Sequence, residues 1–369
     1  METLFVLDFI TFDLLFAWGY KIGIVIAALG PLIFIHELGH FLIAKMLGIG
    51  VEKFSLGFGP KIIGKRVGET EYLISLFLLG GYVKLVGEDP SEECEDKERS
   101  FSEAPIWKRF SIVSAGPLFN IFTAILIFAI VFMVGFPTMS TRVGEVKEGS
   151  PAMIVGIKKG DKIVRVNGKR VNEWETLAGI IRNNPGKEMR FEIEKESGEI
   201  FQTIIAPIPE KSRNIFGEEI DVGLIGIIAE GEIIKERYNP VIAFLKGFEV
   251  TWRLIKFTVL GVVKMIEGKV SSDNIAGPLG IAKIAVDVAN IGLLSFIQFV
   301  STVSIILGIM NLLPIPILDG GHIIFFLIEA IFRRPVSIKR RDFAFKIGLF
   351  LLIALMLFAT YIDIIRLLK

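Results

Sequence analysis

The sequence predicts a polytopic α-helical membrane protein with four transmembrane helices, a membrane-associated β-sheet and one inserted α+β domain. The first observation is composition: 52% of the 369 residues are hydrophobic, and the mean hydropathy is +0.60, which is too apolar for a soluble protein. The second is four apolar segments of about 20 residues or more, each long enough to cross a bilayer. The third is a charged, glycine-containing stretch between the second and third of these segments, which has the length of a small domain.

The four predicted spans differ in how strongly they are marked. The first runs from about Trp18 to Met46, and the second, Phe110 to Val134, contains no charged residue. The third, Ile291 to Leu318, is also uncharged, whereas the fourth, Phe343 to Ile362, carries Lys346 near its start. A lysine near the end of a span can extend its ammonium group to the interface, so all four are retained.

Basic residues predict the orientation of the spans. Lysines and arginines cluster in the loop after the first span and in the loop between the third and fourth spans, and such loops face the cytoplasm. The N-terminus, the inserted domain and the C-terminus are then expected outside. The acidic start of the chain lacks the basic residues and cleavage site of a signal peptide, so we expect the N-terminus to be retained. The net charge of +1 gives no general attraction to nucleic acid.

The segment 51–87 is predicted to be a small β-sheet at the membrane surface. Glycines punctuate its β-rich runs, and Gly80-Gly81 is a candidate hairpin turn. An ordinary surface hairpin is the alternative. The acidic loop that follows, 88–109, contains Cys94, which is the only cysteine and therefore excludes an internal disulfide.

The first span contains the pattern H-E-x-x-H at His36, Glu37 and His40. Residues i and i+4 share a helix face, so both imidazoles can bind one zinc ion while the glutamate acts as a general base. Ionisable residues inside an apolar span are costly, which favours a functional role. A chance match or a polar contact between helices is the alternative.

A catalytic zinc ion needs a third protein ligand. The end of the third span reads NLLPIPILDGGH, and its two prolines, Pro314 and Pro316, would disrupt the helix. Asp319 and His322 are the two candidates, and Asp319 could instead be a helix cap. In the second span, Asn120 needs a polar partner, either as a structural hydrogen bond or at the active site.

The inserted segment contains G-I-x-x-G-D-x-I-x-x-V-N-G from Gly156 to Gly168 and resembles a PDZ domain. PDZ domains bind an exposed C-terminus or an extended peptide by adding a strand to a sheet edge. A steric cap that binds nothing is the alternative. A helical stretch beginning at Asn239-Pro240 is interrupted by charges, which favours a helix at the interface over a fifth span.

Taken together, HELGH, LDGG, the PDZ pattern and the topology resemble the site-2 protease family of intramembrane zinc metalloproteases. Within it, FSLGFGP, GGYVKLVGED and SAGPLFN resemble the bacterial regulator-of-sigma-E protease group, in a form with one PDZ domain rather than two. The resemblance implies zinc bound by His36, His40 and Asp319, with Glu37 as the catalytic base.

The resemblance also implies substrate contacts and a location. The implied substrate-binding residues are Asn311, Pro314, Pro316, Gly80, Gly81 and Tyr82. The implied substrates are single-pass membrane proteins of the anti-sigma-factor type or remnant signal peptides, cleaved in the bacterial inner membrane. The active site would face the cytoplasm and the PDZ domain the periplasm. A non-catalytic scaffold and an ion or proton carrier are the rival functions.

The predicted segments divide the chain into ten parts. They are an N-terminal segment with the first span (1–50), the sheet (51–87), the acidic loop (88–109), the second span (110–136), the PDZ domain (137–208), a connector (209–237), an interfacial helical region (238–290), the third span with LDGGH (291–322), a basic loop (323–342) and the fourth span (343–369).

Overall fold

The computed structural model describes residues 2–88, 96–214, 217–269 and 276–368. Residues 89–95 of the predicted acidic loop, which include Cys94, lie outside these residues. The chain divides into two compact units, the first formed by residues 1–130, 244–262 and 271–369, and the second by residues 131–243 and 263–270. The first unit contains the four apolar spans and the sheet, and the second corresponds to the inserted domain.

The elements are named in chain order. The helices are α1 (Glu2–Met46), α2 (Ile106–Val134), α3 (Pro151–Ile154), α4 (Trp174–Arg182), α5 (Pro240–Ile266), α6 (Pro278–Ile291), α7 (Leu293–Asn311), α8 (Asp319–Phe332) and α9 (Ile338–Leu368). The strands are β1 (Val51–Val67), β2 (Thr70–Leu85), β3 (Phe136–Met139), β4 (Val143–Val146), β5 (Lys162–Val166), β6 (Lys169–Arg170), β7 (Met189–Glu194), β8 (Ile200–Ile205), β9 (Ile208–Arg213), β10 (Glu219–Leu224), β11 (Ile227–Ala229) and β12 (Ile233–Glu236).

The predicted membrane architecture is confirmed. Over the described ranges, four helical segments are long and apolar enough to cross a bilayer, namely Ala17–Met46, Ile106–Val134, Leu293–Asn311 and Ile338–Arg366. Helix α5 is not among them, and its start is capped by the Asn239 side chain, which accepts a hydrogen bond from the amide of Ile242 at 2.9 Å. This agrees with the prediction of a helix that is not a fifth span.

The third span ends earlier than the apolar run suggested. Helix α7 stops at Asn311, and a non-helical segment of residues 312–318 leads into the separate helix α8, which begins at Asp319. The physical reason lies in the two prolines of this segment, which cannot donate the backbone hydrogen bonds of a continuous helix. Helix α8 continues to Phe332, so the first half of the predicted basic loop is helical.

Small residues bring the spans into close contact. A Cβ atom added at Gly39 of α1 would lie 2.6 Å from the carbonyl oxygen of Ala115 in α2. Likewise, a Cβ atom at Gly308 of α7 would lie 2.8 Å from the carbonyl oxygen of Pro117 in α2. Backbones that approach this closely gain van der Waals contact in a membrane, where no hydrophobic effect drives helix association. Helix α2 therefore lies directly against both α1 and α7.

The sheet is more folded than a simple hairpin. Ser55 pairs with both Tyr82 and Leu73, and Leu73 also pairs with Gly64. The four segments therefore lie in the order 81–85, 51–56, 70–75, 61–67, and the outer edge strands are 81–85 and 61–67. The chain reverses at residues 68–69, so the prediction of a hairpin turn at Gly80-Gly81 is wrong. Those glycines end the crossing from one side of segment 51–56 to the other.

One end of the sheet is fixed to α1, and the other end is apolar and exposed. Lys45 and Arg99 both form ion pairs with Glu69 at the hairpin turn. The hydrogen bond from Lys45, opposed by partial burial, holds the pKa of the Glu69 carboxyl below its usual range. Exposed large apolar side chains, which suit contact with lipid, are Phe58, Ile62, Ile63, Ile74, Leu76 and Phe77.

The second unit is an α+β domain with its own apolar core. Strands β6, β5, β7 and β8 form an antiparallel sheet in that order, and the core around it includes the fully buried Leu177 and Phe191. The segment 209–237, predicted as a connector, belongs to this domain instead. It supplies β11 and β12, which pair with β4 and β3, and it places Ile225 in the core. These two strands are short and their partners are distant in the chain, so local sequence patterns did not identify them.

Candidate active site

The site begins with the two histidines of α1. His36 and His40 are four residues apart, so their rings lie on one helix face, with centroids 4.8 Å apart and nearly perpendicular planes. Their Nε2 atoms are 3.2 Å apart. Both imidazole side chains are largely buried, with 11% of His36 and 13% of His40 exposed.

Asp319 reaches the histidines because of the local structure of the LDGG sequence. It is the first residue of α8, where a carboxylate is favoured by the helix dipole. A Cβ atom at Gly320 would lie 2.2 Å from the carbonyl oxygen of Leu313, and one at Gly321 would lie 2.4 Å from that of Ile315. Only glycine allows α8 to fold back this closely onto the segment that precedes it, and this turn directs Asp319 toward α1.

The three donor atoms have the spacing of a tetrahedral metal site. Asp319 Oδ2 lies 3.2 Å from His36 Nε2 and 3.6 Å from His40 Nε2. Zinc ligands at about 2.0–2.2 Å from a tetrahedral ion lie about 3.3–3.6 Å from one another. Two neutral imidazoles and one carboxylate are also the donor types of catalytic zinc sites, which keep one position open. The residues present therefore fit a zinc ion.

Helix α2 fixes the orientation of His40. The Nδ1 atom of His40 is 2.8 Å from the carbonyl oxygen of Ile112, and a carbonyl partner at the second ring nitrogen is usual for a metal-binding histidine. Gly116, one turn further along α2, lies against both rings. A Cβ atom there would be 2.2 Å from His40 Nε2 and 2.9 Å from His36 Cε1. Gly116 interrupts an apolar span in the sequence, but the sequence does not identify the rings that it contacts.

Glu37 lies beside the three donors in a cavity of about 230 Å³. The backbone of Gly81, on edge segment 81–85, packs against it, since a Cβ atom at Gly81 would be 2.9 Å from Glu37 Cγ. The cavity is lined by His36, Glu37, His40, Gly81, Tyr82, Val83, Leu85, Glu88, Phe101, Ile112, Val113, Asp319, His322 and Arg341. A carboxylate, the three donors and an edge segment that pairs on one side only among the described strands thus share one space.

The other predicted site residues are divided between this cavity and its surroundings. Tyr82 and Gly81 line it, as does His322, but His322 does not belong to the group of donors formed by His36, His40 and Asp319 in the described chain. Asn120 is fully buried, with its Nδ2 atom 3.4 Å from His36 Nδ1. The predicted substrate-binding residues outside the described lining of the cavity are Gly80, Asn311, Pro314 and Pro316.

A largely buried ion pair, which the sequence pattern does not reveal, connects α8 to α2. Arg109 of α2 donates to both carboxylate oxygens of Glu329 in α8, at 3.1 and 2.6 Å, and its Nε donates to the carbonyl oxygen of Ala104 at 2.9 Å. The guanidinium also lies 5.1 Å from the ring centre of Phe326. Both charged side chains are less than one-fifth exposed. Arg109 was visible only as one basic residue of a loop, so its partner could not be predicted.

Known proteins resemble the chain over almost its whole length. Residues 24–355 match the model of peptidase family M50. A protein of Agrobacterium fabrum, named as a zinc metalloprotease, is 34% identical over 367 residues, which cover 95% of this chain and 96% of that protein. The regulator of sigma-E protease RseP of Escherichia coli is 30% identical over 441 residues, which cover 93% of this chain and 98% of that protein.

Among solved structures, the PDZ domain of an SdrC-like protein from Listeria monocytogenes is 21% identical, with a TM-score of 0.20, and the match covers 24% of this chain and 86% of that one.

The family model and the two relatives confirm the predicted family. They show that this chain belongs to peptidase family M50 and is a membrane-embedded zinc metalloprotease of the site-2 type.

Proposed function

We propose that this protease cleaves transmembrane segments of single-pass membrane proteins, of the anti-sigma-factor or remnant-signal-peptide type, as a step of regulated intramembrane proteolysis. His36, His40 and Asp319 hold the zinc ion, and Glu37 is the catalytic base. The observation that carries the proposal is the meeting of three donor atoms at 3.2–3.6 Å beside a glutamate in one cavity. Each donor is contributed by a helix of the membrane unit.

Each residue then has a defined task. Zinc, when bound, supplies a Lewis acid for the peptide carbonyl and activates water. The Glu37 carboxylate takes a proton from the attacking water and afterwards gives it to the leaving amine. Asn311 is the last residue of α7 and lies outside the described lining of the cavity, so it takes no part in these proton transfers.

The substrate must present an extended segment to these residues. A transmembrane helix uses its carbonyl groups in backbone hydrogen bonds, and exposing them within lipid is costly. Edge segment 81–85 pairs with segment 51–56 on one side only in the described chain. Its other edge offers backbone donors and acceptors that would replace those lost when the substrate helix unwinds. Because Gly81 packs against Glu37, a strand added here would pass beside the base.

For the inserted domain we propose peptide binding of the PDZ type. A cavity of about 380 Å³ lies between α4 and the segment around β11, and its apolar lining includes Leu177, Ile181 and Ile227. Strand β11 pairs only with β4 among the described strands, so an extended peptide or a free C-terminus could add to its other edge. A domain that only limits access would leave this groove without a ligand.

The proposed location is the bacterial inner membrane, with the active site toward the cytoplasm and the inserted domain in the periplasm. Support for this orientation comes from the basic residues of the two loops that flank the spans. Labelling of single cysteines introduced in those loops and in the inserted domain of a Cys94→Ser variant, in intact cells, would test it.

The direct test of the function is Glu37→Gln. The variant should retain zinc, because Glu37 is not one of the three donors. It should lose cleavage of a purified single-pass substrate in lipid vesicles. Comparison of membrane proteins that accumulate in cells carrying this variant would identify the substrates. Cleavage at the wild-type rate would remove Glu37 from its role, and accumulation of soluble proteins only would refute the proposed substrate class.

A further inference from the structure

Asn120 is a buried polar side chain beside one of the zinc-binding histidines, and it has no part in the mechanism proposed for Glu37. It lies on α2 with no solvent exposure, and its side-chain Nδ2 atom is 3.4 Å from His36 Nδ1. Its amide oxygen is buried and has no hydrogen-bond partner among the described residues. A buried unpaired oxygen costs about 1–3 kcal/mol, which calls for an explanation at this position.

The chemistry of His36 supplies one. Its Nε2 atom is directed at Asp319 and His40, so Nε2 is the nitrogen that can bind a metal. An imidazole that binds metal through Nε2 carries its proton on Nδ1 and needs an acceptor there. For His40 this acceptor is the carbonyl oxygen of Ile112, at 2.8 Å. For His36 the neighbouring side chain is Asn120. Rotation of the Asn120 amide by 180° about the Cβ–Cγ bond exchanges the positions of the NH2 group and the oxygen.

We propose that Asn120 is a positioning residue whose amide oxygen accepts a hydrogen bond from Nδ1–H of His36 and thereby keeps Nε2 free for zinc. This inference rests on the proposed zinc site. One hydrogen bond then satisfies both the buried oxygen and the second nitrogen of the imidazole.

The position of Asn120 is itself fixed from the opposite side. The hydroxyl of Ser304 in α7 donates to the backbone carbonyl of Asn120 at 2.9 Å, and Ser304 is fully buried. A Cβ atom at Gly308, one turn along α7, would lie 3.5 Å from Asn120 Cβ. A chain of hydrogen bonds therefore runs from α7 through α2 to the His36 ring on α1. Because α7 also leads to Asp319, this chain relates the placement of the histidine to that of the acid.

The test compares two substitutions in the full-length protein. Asn120→Leu keeps the branched shape of the side chain but removes the acceptor, and Asn120→Asp keeps an acceptor oxygen. Zinc affinity, measured by competition with a chelator in detergent, should fall about 10–100-fold in Asn120→Leu and clearly less in Asn120→Asp. The matched control is Ser114→Ala on the same helix, which removes another buried side-chain oxygen that has no partner in the described part of the chain and should leave the affinity unchanged.

A spectroscopic measurement on the wild type distinguishes this role from a purely structural one, because it reports which nitrogen of His36 carries the proton. The chain has three histidines, so ¹⁵N-histidine NMR spectra of the zinc-loaded protein contain three imidazoles, which single substitutions assign. His36 should be protonated and hydrogen-bonded at Nδ1. A proton on Nε2 of His36, or wild-type zinc affinity in Asn120→Leu, would overturn the inference. Absence of zinc binding by the wild type would instead refute the proposed function.

Discussion

Gly116 is the position where a single methyl group should disable the site without unfolding the protein. In Gly116→Ala, the new Cβ atom would lie 2.2 Å from His40 Nε2 and 2.6 Å from its Cε1 atom. Non-bonded heavy atoms of this kind rest at about 3.5 Å, so the His40 ring must retreat by about 1.3 Å. Metal–ligand distances tolerate only about 0.2 Å. The movement also strains the hydrogen bond between His40 Nδ1 and the carbonyl oxygen of Ile112.

The expected result is a loss of zinc affinity on the order of 100-fold, together with loss of cleavage. Stability of the zinc-free protein should not fall in parallel, because alanine is favoured over glycine within a helix by about 1 kcal/mol. The assay is zinc content and chelator competition on purified protein, combined with thermal unfolding in excess chelator.

Gly23→Ala on α1 is the matched control, since a Cβ atom at Gly23 meets no described atom within 4 Å. This variant should bind zinc and cleave substrate as the wild type does. If Gly116→Ala also binds zinc with wild-type affinity, then the packing of α2 against the histidine rings does not constrain the site, and the reasoning is refuted.

Three further predictions concern the strand edge, the support of α8 and the metal. Tyr82→Pro on edge segment 81–85 should slow cleavage of helical substrates more than that of already extended ones, while Ile63→Pro on the opposite edge should not. Equal slowing of both substrate types would refute the addition of a substrate strand to segment 81–85. Glu329→Gln leaves the Arg109 guanidinium without its carboxylate, which should destabilise the protein by about 3 kcal/mol. Replacing both residues with leucine should restore much of the melting temperature. A Glu329→Gln variant with wild-type stability would contradict this account of the ion pair. Removal of zinc with a membrane-permeant chelator should abolish cleavage of a transmembrane substrate and added zinc should restore it, whereas activity that survives verified zinc removal would exclude a zinc mechanism.

The features that depend on local sequence could be predicted. The four spans follow from long uncharged runs, and the relation of His36 to His40 follows from helical spacing alone. The identity of the third ligand could not be predicted from local spacing, because Asp319 and His322 lie in the same short motif. The structure brings Asp319 to the histidines through a turn that Gly320 and Gly321 permit, and such a turn depends on backbone packing that the sequence does not display.

The features that depend on tertiary contacts could not be predicted. The order of the sheet segments follows from a double use of segment 51–56, which pairs on both sides, and the glycines at 80–81 gave a misleading turn signal. The strands of segment 209–237 were hidden because they are short and because β11 and β12 pair with distant strands, while β9 and β10 pair only with each other among the described strands. Asn120 was marked as a residue in need of a partner, but only the contact between α1 and α2 identifies His36 as that partner.

X-ray absorption spectroscopy at the zinc edge of the purified protein tests the shared metal site most directly. Two imidazole ligands and a carboxylate oxygen are expected in the wild type, with one imidazole fewer, or no bound zinc, in His40→Ala. Asp319→Leu should likewise lose an oxygen ligand or the metal itself. A zinc environment that is unchanged by Asp319→Leu would contradict the account, since α8 would then contribute nothing to the ion held by α1.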